Sequence, residues 1–266
     1  MEDERRPEFR RHQTIHIPDI PEDFDKGIGT EKHDAVMSML GRVYLDEHRL
    51  EQAEQLFVLA VMTGKRTLGA DHPHTLGSMH DLALKIKDQQ QWEEAEQLFI
   101  QVIETNKTKL GGDHPRTLIS MHCLALTLMN QQRLEEAEQL FTQVIETSRT
   151  KLGADHPHTL NSINYLASTL LRQGRWEKAE QLCIQVMETS KANLGPNHTL
   201  TLSSMVNLSI VWEHQNRTTE AIELITQYIQ ARNRVFGAEY PHTTLILSIL
   251  QDWQAKELYN HKYIET

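Results

Sequence analysis

Histidine offers the most chemistry in this 266-residue chain, which has 15 of them. His72-x-His74 and His156-x-His158 are spaced like paired metal ligands, and His122-Cys123 sets a base beside a thiol. Neither arrangement completes a site. A zinc centre needs three or four converging ligands, and no carboxylate or cysteine completes a set at the usual spacing around either pair. Adjacent residues of a helix point in different directions, so His122 does not activate Cys123. The only cysteines, Cys123 and Cys183, form no CxxC and read as free thiols of a reducing compartment. No residues pair a nucleophile with a base, and no GxxxxGK[ST] phosphate loop occurs. The expectation is a chain that is not an enzyme and takes no cofactor or metal.

Repetition accounts for the histidines better. Seven of them (His72, His74, His114, His156, His158, His198 and His242) sit in one motif, LGADHPHTL at Leu68, with counterparts at Leu110, Leu152 and Leu194 and a worn copy at Phe236. Its glycines, Gly69, Gly111, Gly153, Gly195 and Gly237, stand at one constant interval. A fixed period without insertions is the mark of stacked repeats.

Each repeat holds two apolar stripes at three- and four-residue spacing, for instance Leu76, Met79, Leu82, Ala83 and Ile86, then Trp92, Ala95, Leu98, Phe99, Val102 and Ile103. That spacing predicts two helices, and the short polar turns between them (DQQQ at Asp88, NQQR at Asn130, RQGR at Arg172, HQNR at His214) force them antiparallel. A propeller blade of similar length would need β-branched and aromatic strands, whereas these repeats are rich in Glu, Gln, Leu, Ala and Lys. In the motif itself, the glycine stops one helix, Asp71, Asp113 and Asp155 are expected to cap the next, and Pro73, Pro115 and Pro157 occupy its first turn.

The net charge is −10, from 37 acids and 27 bases, and no basic block stands out, which argues against nucleic acid or anionic lipid as a partner. No apolar run approaches the roughly 18 residues of a membrane helix. The charged start MEDERRPEFRR lacks the apolar stretch of a signal peptide, so a cytoplasmic location is expected and the N-x-[ST] matches at Asn106, Asn197, Asn207 and Asn216 read as plain polar residues. Residues 1–29, with Pro7, Pro18 and Pro21, show no period beyond a short strand or turn at Ile15–Ile17 and read as a disordered or loosely docked lead-in.

Two positions stay small throughout: Gly41, Ala83, Ala125, Ala167 and Ser209 on the first helix, and Ala53, Ala95, Ala137, Ala179 and Ala221 on the second. Leucines precede the first set (Leu40, Leu82, Leu124, Leu166, Leu208), and Phe57, Phe99 and Phe141 hold a bulky position that Cys183 takes later. On these residues the chain resembles the tetratricopeptide repeat, in the 42-residue form found in kinesin light chains and in fungal NB-ARC receptor-like proteins. The resemblance implies an all-α solenoid, a right-handed superhelix of five antiparallel hairpins at about residues 30–72, 73–114, 115–156, 157–198 and 199–240. A capping helix at 241–258 and a tail at 259–266 follow.

It also implies a partner surface on the inner face of the first helices. By the family's pattern that face holds Ser38, Arg42, His80, Leu84, Lys87, His122, Leu126, Asn130, Asn164, Ser168, Arg172, Ile210 and His214. Such a mixed lining suits a protein or peptide segment, and His80 and His122 invite pH dependence near 6.5. Leucine or isoleucine at 84, 126 and 210 replaces the asparagines of carboxylate-clamping arrays, so capture of a C-terminal carboxylate is not expected. The acidic EEAEQ stretches at Glu93 and Glu135 read as a solvated outer face. The function expected is therefore a non-catalytic interaction scaffold; the alternatives are a stand-alone sensor arm related to NB-ARC proteins or an accessory protein of a metabolic pathway.

Overall fold

The computed structural model describes residues 30–46, 49–236 and 241–264. The lead-in 1–29 and the worn junction at Gly237 lie outside them. Eleven helices account for the described residues: α1 (Thr30–Asp46), α2 (Leu50–Thr67), α3 (Pro73–Asp88), α4 (Trp92–Leu110), α5 (Pro115–Asn130), α6 (Leu134–Lys151), α7 (Pro157–Arg172), α8 (Trp176–Asn193), α9 (Thr199–His214), α10 (Thr218–Phe236) and α11 (Pro241–Ile264). The architecture is an all-α solenoid of helical hairpins. Packing divides the chain between Lys85 and Ile86, within α3, into two compact units.

Within the larger unit each helix packs on the next, and the first helices α5, α7 and α9 also pack on one another. The small residues explain how the helices approach so closely. Ala95, Ala125, Ala137, Ala167, Ala179, Ser209 and Ala221 are wholly buried at the crossings, beside the equally buried Phe99, Phe141 and Cys183. In the smaller unit Gly41 plays the same part: a Cβ there would lie 2.8 Å from the Phe57 ring.

The helix-to-helix turns share one geometry. Gln90, Gln132 and Asn216 adopt positive φ of 64°, 63° and 61°, and Gly174 takes 73° at the equivalent place. The next amide donates back to a carbonyl five residues earlier, as in Arg133 to Leu128 at 2.9 Å and Arg175 to Leu170 at 2.9 Å. This is the Schellman arrangement that satisfies the last carbonyls of a helix.

The repeat junction differs from expectation in its cap. The N-caps of α5, α7 and α9 are His114, His156 and His198, whose Nδ1 atoms accept from the amides of Arg116, His158 and Leu200 at 3.2 Å each. At α5 and α7 the capping side chain is thus the histidine and not the aspartate before it. There the proline at the first helical position forces the histidine before it into extended backbone, which is the N-cap conformation; α9 begins at Thr199 without a proline, and His198 takes the same extended backbone at φ −68°, ψ 143°. Asp113 instead pairs with Lys151 at 2.6 Å, which holds its carboxyl below the usual range.

The glycine requirement is also stricter than a left-handed stop. Gly111 sits at φ 101°, ψ 156°, a region open essentially to glycine alone. Thr117, Thr159 and Thr201 then donate to the carbonyls of Gly111, Gly153 and Gly195 at 2.9 Å, tying each stop to the following start.

At the C-terminal end Ile246, Ile249, Leu250 and Trp253 of α11 pack against Tyr228 and Ile229. Leu245, Leu247 and Leu258 face outward. The helix continues to Ile264, past the expected limit at Leu258, because Tyr259–Ile264 holds no glycine or proline to stop it. Among the described residues no helix is long and apolar enough to cross a membrane.

Candidate functional site

The residues expected on the inner face fall into two groups. Most of the polar ones tie neighbouring helices together. In the smaller unit Ser38 and Ser78 share a 2.6 Å hydroxyl contact, and Arg42 donates to Asp81 from Nε at 3.0 Å and Nη2 at 2.7 Å. Burial pushes the Asp81 carboxyl up, against the opposing pull of Arg42.

In the larger unit His122 Nδ1 meets Ser162 Oγ at 3.0 Å, and Asn164 donates to Ser203 at 3.2 Å while accepting from Asn207 at 3.1 Å. Arg172 donates to the Met129 carbonyl at 3.3 Å. His214 stacks on Trp176 with ring centroids 4.3 Å apart. Lys87 pairs with Asp88 at 2.9 Å. Leu84, Leu126, Asn130, Ser168 and Ile210 are half-buried.

The histidines are not solvated sensors. His122 is held edge-on by the Phe141 and Tyr165 rings at 5.4 and 5.3 Å. Burial, followed by the charges of His158 and Lys87, lowers its pKa to about 4. Burial and then Arg42 lower His80 to about 4 as well. The expected pH dependence near 6.5 is therefore corrected: both rings stay neutral through that range. Burial likewise pushes the Cys123 and Cys183 thiols up, to about 11 and about 12, far from a reactive thiolate. At the His72-x-His74 and His156-x-His158 pairs the two rings stack at 5.5 Å, and the first Nδ1 of each accepts from the second residue's amide.

Open surface lies one turn nearer the N-termini of the first helices. Between α5, the C-terminal end of α6 and α7 is a cavity of about 240 Å³ whose apolar wall includes Leu118, Ile119, Val144 and Leu152, with His122 and Ser162 also lining it. A second, of about 430 Å³, lies between α7 and α9 and is lined by Tyr165, His198, Thr199 and Ser203 among others. His158 and Asn161 line both, so the two adjoin. Ile119 and Leu152 remain 40% and 39% exposed, so both offer apolar surface at this cavity; Leu110, the equivalent of Leu152 one repeat earlier, is similarly 38% exposed.

The family's inner-face pattern does not single out these positions, yet the sequence carries a signal for them. The equivalents of Ile119 are Gly77, Asn161 and Ser203, different in every repeat, and a Cβ added at Gly77 would meet open space.

Helical hairpins with small residues at every crossing, joined by a glycine stop and a capped restart at a constant interval, define a helical-repeat solenoid. Tetratricopeptide repeat models match residues 35–74 and 75–116, and again 118–182 and 161–234. The chain belongs to the tetratricopeptide repeat family. It is similar to the kinesin light chain TPR-like repeats of Podosopora anserina, at 28% identity and TM-score 0.67 over 78% of this chain and 98% of that one.

The apo form of the quorum sensor NprR from B. thuringiensis is 14% identical, with TM-score 0.69 over 87% of this chain and 61% of that one. A Rap protein complexed with competence and sporulation factor is 11% identical, with TM-score 0.64 over 87% and 68%. At these identities the likeness is one of fold. No curated protein matches the sequence.

Proposed function

We propose that this protein is a non-catalytic scaffold whose first helices hold a peptide or an extended protein segment along the adjoining grooves of α5, α7 and α9. The observation that carries the reading is the pair of cavities joined through His158 and Asn161, open on the face where the repeats differ in sequence. The side chains around them offer both donors and acceptors, as an extended backbone requires.

The relatives support the same use of the fold, since a Rap protein of like architecture has been solved with competence and sporulation factor and NprR is a quorum sensor. The second helices differ in character. Glu93, Glu94, Glu135, Glu136 and Glu177 make them acidic and exposed, a solvated surface rather than a groove.

The test is a pull-down with Ile119→Glu and Leu152→Glu, two exposed changes that leave the core intact. Loss of the captured partner is expected. Retention of the same partner with both variants contradicts the reading. Alanine at His80 or His122 would be a poorer probe, because both rings are half-buried against neighbouring side chains and their loss also disturbs packing.

A further inference from the structure

We infer that the occupant of the groove is an uncharged, internal peptide segment that seats one leucine- or phenylalanine-sized side chain between Ile119 and Leu152. The inference rests on the functional reading above and sharpens it to a ligand chemistry. Its first support is the lining itself: among the described residues, no lysine, arginine, aspartate or glutamate lines either cavity. That is unusual for a chain with 37 acids and 27 bases.

The segregation extends along whole helices. Neither α5 nor α7 contains a carboxylate, whereas α4, α6 and α8 carry Glu93, Glu94, Glu135, Glu136, Glu177 and others. A lysine beside the lining is engaged elsewhere: Lys151, next to Leu152, closes on Asp113 at 2.6 Å. His122 on the cavity wall is kept neutral by burial.

A partner charge placed against this lining would lose water and meet no lysine, arginine, aspartate or glutamate in return, only the imidazoles of His122, His156, His158 and His198, which is unfavourable. A peptide carboxylate terminus fails for the same reason, so the segment is internal to its chain.

Size fixes the anchor. An apolar cavity of about 150 Å³ takes benzene, and this one is about 240 Å³ with an aliphatic wall of Leu118, Ile119, Val144 and Leu152. One large apolar side chain fills it. Beyond the anchor, Asn161, Tyr165, Thr199 and Ser203 supply neutral donors and acceptors to the backbone.

The experiment is selection of a phage-displayed random dodecapeptide library on the full chain, followed by binding titration of the recovered peptides. We expect recovered peptides to share one Leu, Ile, Met or Phe flanked by uncharged residues. Changing that anchor to alanine, on the unaltered protein, should weaken binding about tenfold or more. Aspartate or lysine beside it should do the same, and Ile119→Asp or Leu152→Asp should weaken binding while Gln185→Asp, on a second helix, does not.

Recovered peptides enriched in acidic or basic residues, or indifferent to both anchor and groove changes, overturn the inference and leave the scaffold reading standing if they still map to the first helices. Recovery of no peptide above background overturns both.

Discussion

Arg175 reaches back along the chain to Glu138, its Nη1 lying 2.7 and 2.5 Å from the two carboxylate oxygens. The same tie joins Arg133 to Glu96 and Arg217 to Glu180, always from the turn before one second helix to the body of the previous one. It holds hairpin to hairpin on the side opposite the groove residues. Being partly exposed, each tie is worth roughly 0.2–1 kcal/mol. Arg175→Ala should therefore lower the unfolding free energy by no more than about 1 kcal/mol, and chemical denaturation at about 1 M salt should show the difference shrinking. A salt-independent loss of several kcal/mol would assign Arg175 a different role.

The half-buried histidines predict acid lability. His80 and His122 stay neutral in the folded chain down to about pH 4, whereas the unfolded chain takes up protons near 6.5. Stability is thus fully present above pH 6.5 and falls as the pH drops from there towards 4, by about 2 kcal/mol per ring at pH 5. His122→Gln should flatten the decline in urea midpoint between pH 7 and 5. An unchanged slope would show that the ring does not titrate as its burial implies.

The histidine caps make a separable prediction. His114→Ala removes the acceptor for the Arg116 amide and should cost about 1 kcal/mol, while His114→Asp, which caps equally well, should restore most of it. Equal losses for both variants in thermal melts would argue that the ring acts through something other than its Nδ1.

Two backbone positions should respond in opposite directions. Gly111→Ala meets φ 101° and brings a Cβ within 3.0 Å of Asp113 Oδ1, so a loss of about 1–3 kcal/mol is expected. Gln132→Gly relieves a non-glycine residue at φ 63° and should gain about 0.5–1 kcal/mol. Differential scanning calorimetry of the two variants checks both signs.

The period, the hairpins and the small crossing residues were legible in the sequence because each is a local pattern that returns in every repeat. Ala125 and Phe141 announce their burial by type alone. The caps are not legible because Asp113 and His114 are both acceptors at adjacent positions, and only the residue at which the backbone turns extended decides between them; Pro115 signals it there, but His198 caps α9 ahead of Thr199 with no such signal. The Arg133–Glu96 tie carried a signal, an Arg and a Glu each recurring at the repeat interval, but pairing them needs the packing of one hairpin on the next. The inner-face residues were legible as a set and not by task. Whether His122 or Asn164 points to solvent or to Ser162 and Ser203 depends on the angle between first helices, which no single repeat encodes.

The central claim is that partners are held in the grooves between the first helices, with the C-terminal end of α6 as part of the wall, and not on the acidic exposed faces of the second helices. Site-specific photocrosslinking tests it most directly, with a photoreactive residue at Asn161 in the groove or at Gln185 on α8, compared in the same cell extract. Our account predicts a discrete adduct from position 161 and none from 185. Adducts from 185 without any from 161 would contradict it.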